Sequence, residues 1–202
     1  MERFGPTRRG GPVFRWLGEP LAIDLANTVM VVREGDEVEL LATRDDLRRW
    51  LEAQRPRLGD CGFAIRHLDE FRALRDAVRT LLTASVEGAA PPRQAREHLN
   101  AASLAAPIAP QLEQGNDGQL ETIEQVRQGD PLAELLATLA RSAMALLTGA
   151  DRERLHVCRA PSCGMLYLGQ RRWCCAACGN RARAARHYRR TRTQATARSR
   201  NV

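Results

Sequence analysis

The sequence predicts a mainly α-helical protein with one small β hairpin and a short cysteine-rich module at its C-terminus. Three observations carry this. Apolar residues recur at three- and four-residue steps over long stretches, one Gly-Asn-Asp-Gly turn separates two short extended runs, and five of the six cysteines lie beyond residue 150.

Residues 1–13 are charged, rich in Gly and Pro, and without periodicity, so they read as a disordered N-terminus. Phe14 to Met30 is mostly apolar around a Gly-Glu-Pro turn, and residues 33–39 read as an acidic loop. Thr43 is placed to cap a helix carrying Leu47, Trp50 and Leu51, with Asp45 and Asp46 complementing its positive end. Ala64 to Val86 gives the clearest helical pattern, through Leu68, Phe71, Leu74, Val78, Leu81 and Leu82. Pro91 and Pro92 suit the first turn of another helix, ending near Ala105. Pro107 to Glu113 and Gln119 to Arg127 read as two strands joined by Gly115-Asn116-Asp117-Gly118. Asp130 and Pro131 open a third long helix, largely buried through Leu132, Leu135, Leu136, Leu139, Met144 and Leu147, and Gly149 ends it. The composition changes at Ala150. This gives a helical domain over 14–150, a cysteine module with a basic helix over 151–192, and a disordered tail over 193–202.

Charge divides the chain at the same place. The total is 31 Arg, no Lys and 24 acids; residues 151–202 hold 13 Arg against only Asp151 and Glu153, a net of +11, leaving 18 Arg against 22 acids, a net of −4, in residues 1–150. An acidic body with a basic end suggests a polyanionic partner for that end. No run approaches the ~18 apolar residues of a membrane span, and the N-terminus lacks the apolar core of a secretory signal. A cytoplasmic protein with no membrane partner is expected. In a reducing compartment, clustered cysteines are more often metal ligands than disulfides.

Cys158 and Cys163 form one close set; Cys174, Cys175 and Cys178 form another after a ten-residue gap. Two close sets joined by a short loop are the layout of a structural zinc site with four thiolates. One Zn2+ is therefore expected. Cys158, Cys163 and Cys178 take three places, and spacing alone leaves Cys174 and Cys175 as alternatives for the fourth. Cys61 is remote and reads as a small core residue. His187, nine residues past Cys178 on a helix, stands ~13 Å away by helical rise and is outside the site.

Arg171-Arg172-Trp173-Cys174 followed by Cys178-Gly179-Asn180-Arg181 resembles the CGNR zinc finger family. These are bacterial proteins described as stress-induced transcription regulators, with the finger behind a helical domain called ABATE. Phe14, Leu17-Gly18, Leu21-Ala22-Ile23-Asp24 and Asn27-Thr28 resemble the opening of that domain, and Leu47 with Trp50-Leu51 its next element. The resemblance covers most of residues 14–192. It implies a C-terminal treble-clef-like zinc finger, DNA as partner, and Cys174 rather than Cys175 as the fourth ligand. The Cys163–Cys174 loop and the Cys174–Cys178 gap are short for the family.

Ala177 to Arg192 has high helix propensity. At about 100° per residue Ala184 and Tyr188 share one side, while Arg183, Arg186, His187 and Arg190 fall within about a 100° arc on the other. The expectation is that the Ala184/Tyr188 side packs on the zinc loop and the arc of Arg183, Arg186, His187 and Arg190 meets nucleic acid. Gly179 is expected to allow close approach of backbone to metal, and Trp173 to cap a small core. Arg181 shares the Ala184/Tyr188 side, so an intramolecular role and a phosphate contact stay open. In the body, Asp24 and Asn27 are polar residues within an apolar run. They read as buried polar bonds, or as part of a pocket for a small-molecule effector. Residues 1–150 contain no nucleophile–base pair and no phosphate-binding loop, so no enzymatic activity is expected. The expected function is a DNA-binding transcriptional regulator; the alternative is a zinc-stabilised protein-interaction module.

Overall fold

The computed structural model describes residue 14 and residues 18–33, 36–126 and 130–199. The N-terminal stretch read as disordered, and residues 200–202, lie outside the described residues.

Helix α1 (Leu21–Ala26) leads into a hairpin of β1 (Val29–Arg33) and β2 (Asp36–Glu39). The acidic loop expected over 33–39 is thus the second half of a hairpin, with Val29 opposite Glu39 and Met30 opposite Val38. Its charge hid it: the turn and one whole strand are dominated by acids. Glu39 explains why the strand sits where it does. Its carboxylate accepts from Arg75 at 2.6 Å, and Arg75, itself buried, also donates to Asp76 at 2.8 Å. A buried guanidinium needs such partners.

Helix α2 (Arg44–Leu58) starts at the expected cap: Thr43 Oγ1 accepts from the Asp46 backbone N–H, and Asp46 reaches back to the Thr43 N–H, a full capping box. A short 3-10 helix (Gly62–Arg66) precedes α3 (Leu68–Glu87), so the single helix read over 64–86 is broken at His67. Gly88 ends α3 in the left-handed region at φ 66°, where a glycine is at least cost. Next come α4 (Arg93–Leu104), the hairpin β3 (Ile108–Gln114) and β4 (Leu120–Val126), and α5 (Pro131–Thr148), all near their expected bounds. Asp130 caps α5 by accepting from Ala133 N–H.

The core lies between α1, α2, α3, α4 and α5. Trp50 and Phe71, both fully buried, meet edge to face at 6.2 Å. Helix α5 has the length and composition of a membrane span, yet Leu135, Leu139, Ala140, Ala143 and Leu146 are buried in this core.

Beyond α5 a 3-10 turn leads to a third hairpin, β5 (Leu155–Val157) with β6 (Leu166–Leu168), and then to α6 (Ala176–Ser199). Helix α6 continues to Ser199, past the Arg192 at which a disordered tail was expected to begin. The stretch from 193 contains two Ala and no Pro or Gly before Ser199, so nothing in it stops a helix.

Candidate zinc centre and basic helix

Strands β5 and β6 form the support for the cysteines. Just past the ladder, Cys158 N–H donates to Met165 O at 2.8 Å, closing a tight loop. Ser162 in the left-handed region (φ 55°) and Gly164 (φ 127°) turn the chain around Cys163. Cys178 lies in the first turn of α6, and Cys174 just before that helix. Hairpin, loop and helix start thus converge on one point, as a treble-clef-like finger requires.

The thiol sulfurs of Cys158, Cys163, Cys174 and Cys178 all lie within 4.8 Å of one another. Cys163 to Cys174 is 3.7 Å, Cys163 to Cys178 3.7 Å and Cys174 to Cys178 3.4 Å. A tetrahedron with Zn–S bonds of ~2.3 Å has edges of about 3.8 Å, so the set matches zinc by size as well as by donor type. Cys158, Cys163 and Cys178 are buried and Cys174 is half-buried. Cys175 stands outside the group, its sulfur 4.0 Å from that of Cys174. His156 stacks on Tyr167 at 5.6 Å instead of ligating.

Four thiols this close cannot all ionise without a cation. Hydrogen bonds with Cys163, Cys174 and Cys178 hold Cys158 below the ordinary thiol range, and hydrogen bonds with Cys158, Cys163 and Cys178 push Cys174 above it. A divalent cation removes that conflict by replacing the shared protons. Two donors from this chain also face the sulfurs: Arg181 Nη2 lies 2.9 Å from Cys178 Sγ, and Cys174 N–H points at Cys158 Sγ at 3.5 Å. Such donors offset the thiolate charge around a metal. Of the two roles open to Arg181, the intramolecular one is therefore realised. Burial pushes the Tyr167 phenol up to about 12, and its hydroxyl donates to Arg171 O at 2.8 Å.

Gly179 has a different reason from the one expected. A Cβ there would meet Trp173 Cδ1 at 3.1 Å. The glycine makes room for the indole, which packs against the cysteine cluster, rather than for the metal.

The buried side of α6 also differs from expectation. Cys178, Gly179 and Ala182 are buried, whereas Ala184 is exposed and Tyr188 is 66% exposed. The ligand itself fixes the packing face, and Ala182, four residues on from Cys178, shares it. Arg183, Arg186, His187 and Arg190 are all exposed, at about 80° to 180° around the helix from Cys178. From Arg186 to Thr191 every residue is exposed.

The finger does not hang on a linker. Asn27, buried at the C-cap of α1, donates Nδ2–H to Leu166 O at 2.9 Å and accepts from Leu166 N–H at 2.8 Å. This clamps the open edge of β6 as a neighbouring strand would. Glu19 accepts from Leu168 N–H and from Arg171 at 3.1 Å. Arg79 bridges Ala26 O and Gly164 O. Leu155 and Leu166 belong to the helical core itself. Asp24, three residues before Asn27 and fully buried, accepts from Gly18 N–H, Gln54 and Arg57; burial raises its carboxyl above the usual range despite those partners. The polar residues of α1 and its C-cap thus face two ways: Asp24 toward α2 and Asn27 toward the finger.

Fold and site together define a helical domain joined through these contacts to a four-cysteine zinc finger that ends in a basic helix. The family model for ABATE, described as "Putative stress-induced transcription regulator", matches residues 19–150, and the model for the CGNR zinc finger matches residues 154–191. The chain belongs to this family, and its finger carries one structural zinc ion. No curated protein matches it.

Proposed function

We propose that the protein is a DNA-binding transcriptional regulator of the cytoplasm that works without catalysis, and that α6 is its reading element. The observation that carries this is the exposed basic stretch of α6. The helix is anchored through Cys178 and Ala182 and presents Arg183, Arg186, His187 and Arg190 to solvent. Residues 176–199 contain seven Arg and no acid. Guanidinium groups on a helix face suit phosphate oxygens and the guanine edge in a major groove. The family description supports regulation as the role.

We also propose that the helical domain senses a small-molecule effector, and that α1 couples the two domains because Asp24 in this short helix and Asn27 at its C-cap lie one turn apart. The test of DNA binding is a triple Arg183→Ala, Arg186→Ala, Arg190→Ala variant. With zinc content and melting temperature unchanged, it should lose most affinity for duplex DNA. If it binds as tightly as the parent, α6 is not the reading element.

A further inference from the structure

We infer that the start of the finger helix carries a second nucleic-acid contact: a phosphate-binding site built on Trp173 by Arg172, Asn180 and Arg183. The inference rests on the DNA-binding reading and extends it from the exposed part of α6 to the zinc loop.

Consecutive arginines show the contrast. Arg171 packs over the Tyr167 ring and ion-pairs with Glu19 of the helical domain, so its charge is used within the molecule. Arg172, next to it, lies exposed over the Trp173 ring, its guanidinium carbon 5.2 Å from the ring centre, with no acid beside it among the described residues. The pyrrole edge of the same indole turns toward Gly179: a Cβ on that glycine would lie 3.1 Å from Trp173 Cδ1, 3.7 Å from Nε1 and 3.7 Å from Arg183 Nη1. Arg183 and the indole edge therefore border the same space over Gly179, on the ring whose face Arg172 covers. Arg183 donates to Asn180 Oδ1, which orients both side chains and leaves the Asn180 amide N–H2 without an acceptor among the described residues. The indole N–H of Trp173 has none there either.

The result is a set of donors in excess of acceptors: two guanidiniums, an amide N–H2 and an indole N–H beside one half-exposed ring, with Asn180 Oδ1 taking a single hydrogen bond from Arg183. Two like charges around one ring repel, and an anion bound between them offsets the repulsion. Planar guanidiniums and neutral N–H donors are the groups that take a phosphodiester oxygen. Gly179 enters the same logic, because any side chain there would push the indole away from Arg183.

The test measures binding of the full-length, zinc-loaded protein to a short random-sequence duplex over a range of salt. Arg172→Ala removes an exposed side chain and should leave zinc content and melting unchanged. A lost phosphate contact lowers the salt slope by about one. At ~0.1 M salt it weakens binding about eight-fold, taking a slope of about 0.9 per phosphate. The loss should be the same for unrelated sequences, and Arg172→Lys should recover part of it. Trp173→Phe keeps the ring and removes the N–H, and should weaken binding less than Arg172→Ala does. The site is overturned if Arg172→Ala binds with the parent's affinity and slope. If Arg186→Ala and Arg190→Ala weaken binding in that same experiment, the DNA reading stands without the site. If the parent itself does not bind duplex at low salt, both fall.

Discussion

Asn27→Ala probes the junction on which the account depends. In the parent, the Asn27 amide satisfies both backbone groups of Leu166, at 2.8 and 2.9 Å, in a buried place. Alanine leaves that N–H and C=O facing the space vacated by the amide, without their side-chain partner. Each unsatisfied buried group costs about 1–3 kcal/mol, so a loss of roughly 3 kcal/mol is expected. That is a large part of the ~5–15 kcal/mol that holds a domain folded. For a chain of this size it lowers the melting temperature by ~6–12 °C. Thermal unfolding followed by circular dichroism, with zinc in excess, measures it. Because β6 follows directly on the Cys163 loop, a second effect is expected: a competing chelator should strip zinc faster from Asn27→Ala than from the parent. A melting point within ~1 °C of the parent, with zinc released at the parent's rate, would refute the clamp.

Three further outcomes follow from the same geometry. Cys158→Ser, Cys163→Ser, Cys174→Ser and Cys178→Ser should each lose the zinc, since binding energy is the folding energy of so small a module, while Cys175→Ser should keep it; elemental analysis decides, and zinc lost only from Cys175→Ser would contradict the assignment. Chelation of the parent should lower the melting temperature of the whole chain as one transition, because Leu155 and Leu166 lie in the helical core; a helical domain melting unchanged would show the domains to be independent. Glu39 bears on pH. Burial alone would raise its carboxyl, but hydrogen bonds from Arg75 and the Leu41 N–H outweigh it and hold the group below its ordinary 4.5. Its contribution to stability is thus complete above that value and lost as pH falls through the lower folded value. Glu39→Gln should melt lower than the parent at neutral pH, with the gap closing under acid; a constant gap would show that the carboxylate charge plays no part.

Much of the helical domain was readable because local chemistry dictated it. Thr43 with Asp46, and Asp130 with Pro131, announce helix starts by satisfying backbone donors within four residues, and the Gly115–Gly118 turn announces its hairpin. The cysteine layout was readable because a tetrahedral site imposes its own spacing, though the choice at 174/175 needed the resemblance to the family. What escaped was nonlocal or too short. Strand β2 is mostly acid and owes its place to Arg75, 36 residues away. Strands β5 and β6 have three residues each, too few for a period to show. Asn27 stood out as a polar residue in an apolar run, but its partner lies 139 residues on. The wrong packing face on α6 was avoidable: a helix carrying a buried ligand must bury the side of that ligand, which selects Ala182 over Ala184.

The central claim is that the zinc finger presents its basic helix to nucleic acid. Its most direct measurement is the affinity of the zinc-loaded protein for duplex DNA as a function of salt, repeated after chelation. With roughly three to five phosphates contacted, log K should fall against log salt with a slope of about −3 to −4.5, and removing zinc should abolish the binding. No binding at low salt, or binding indifferent to both salt and zinc, would contradict it.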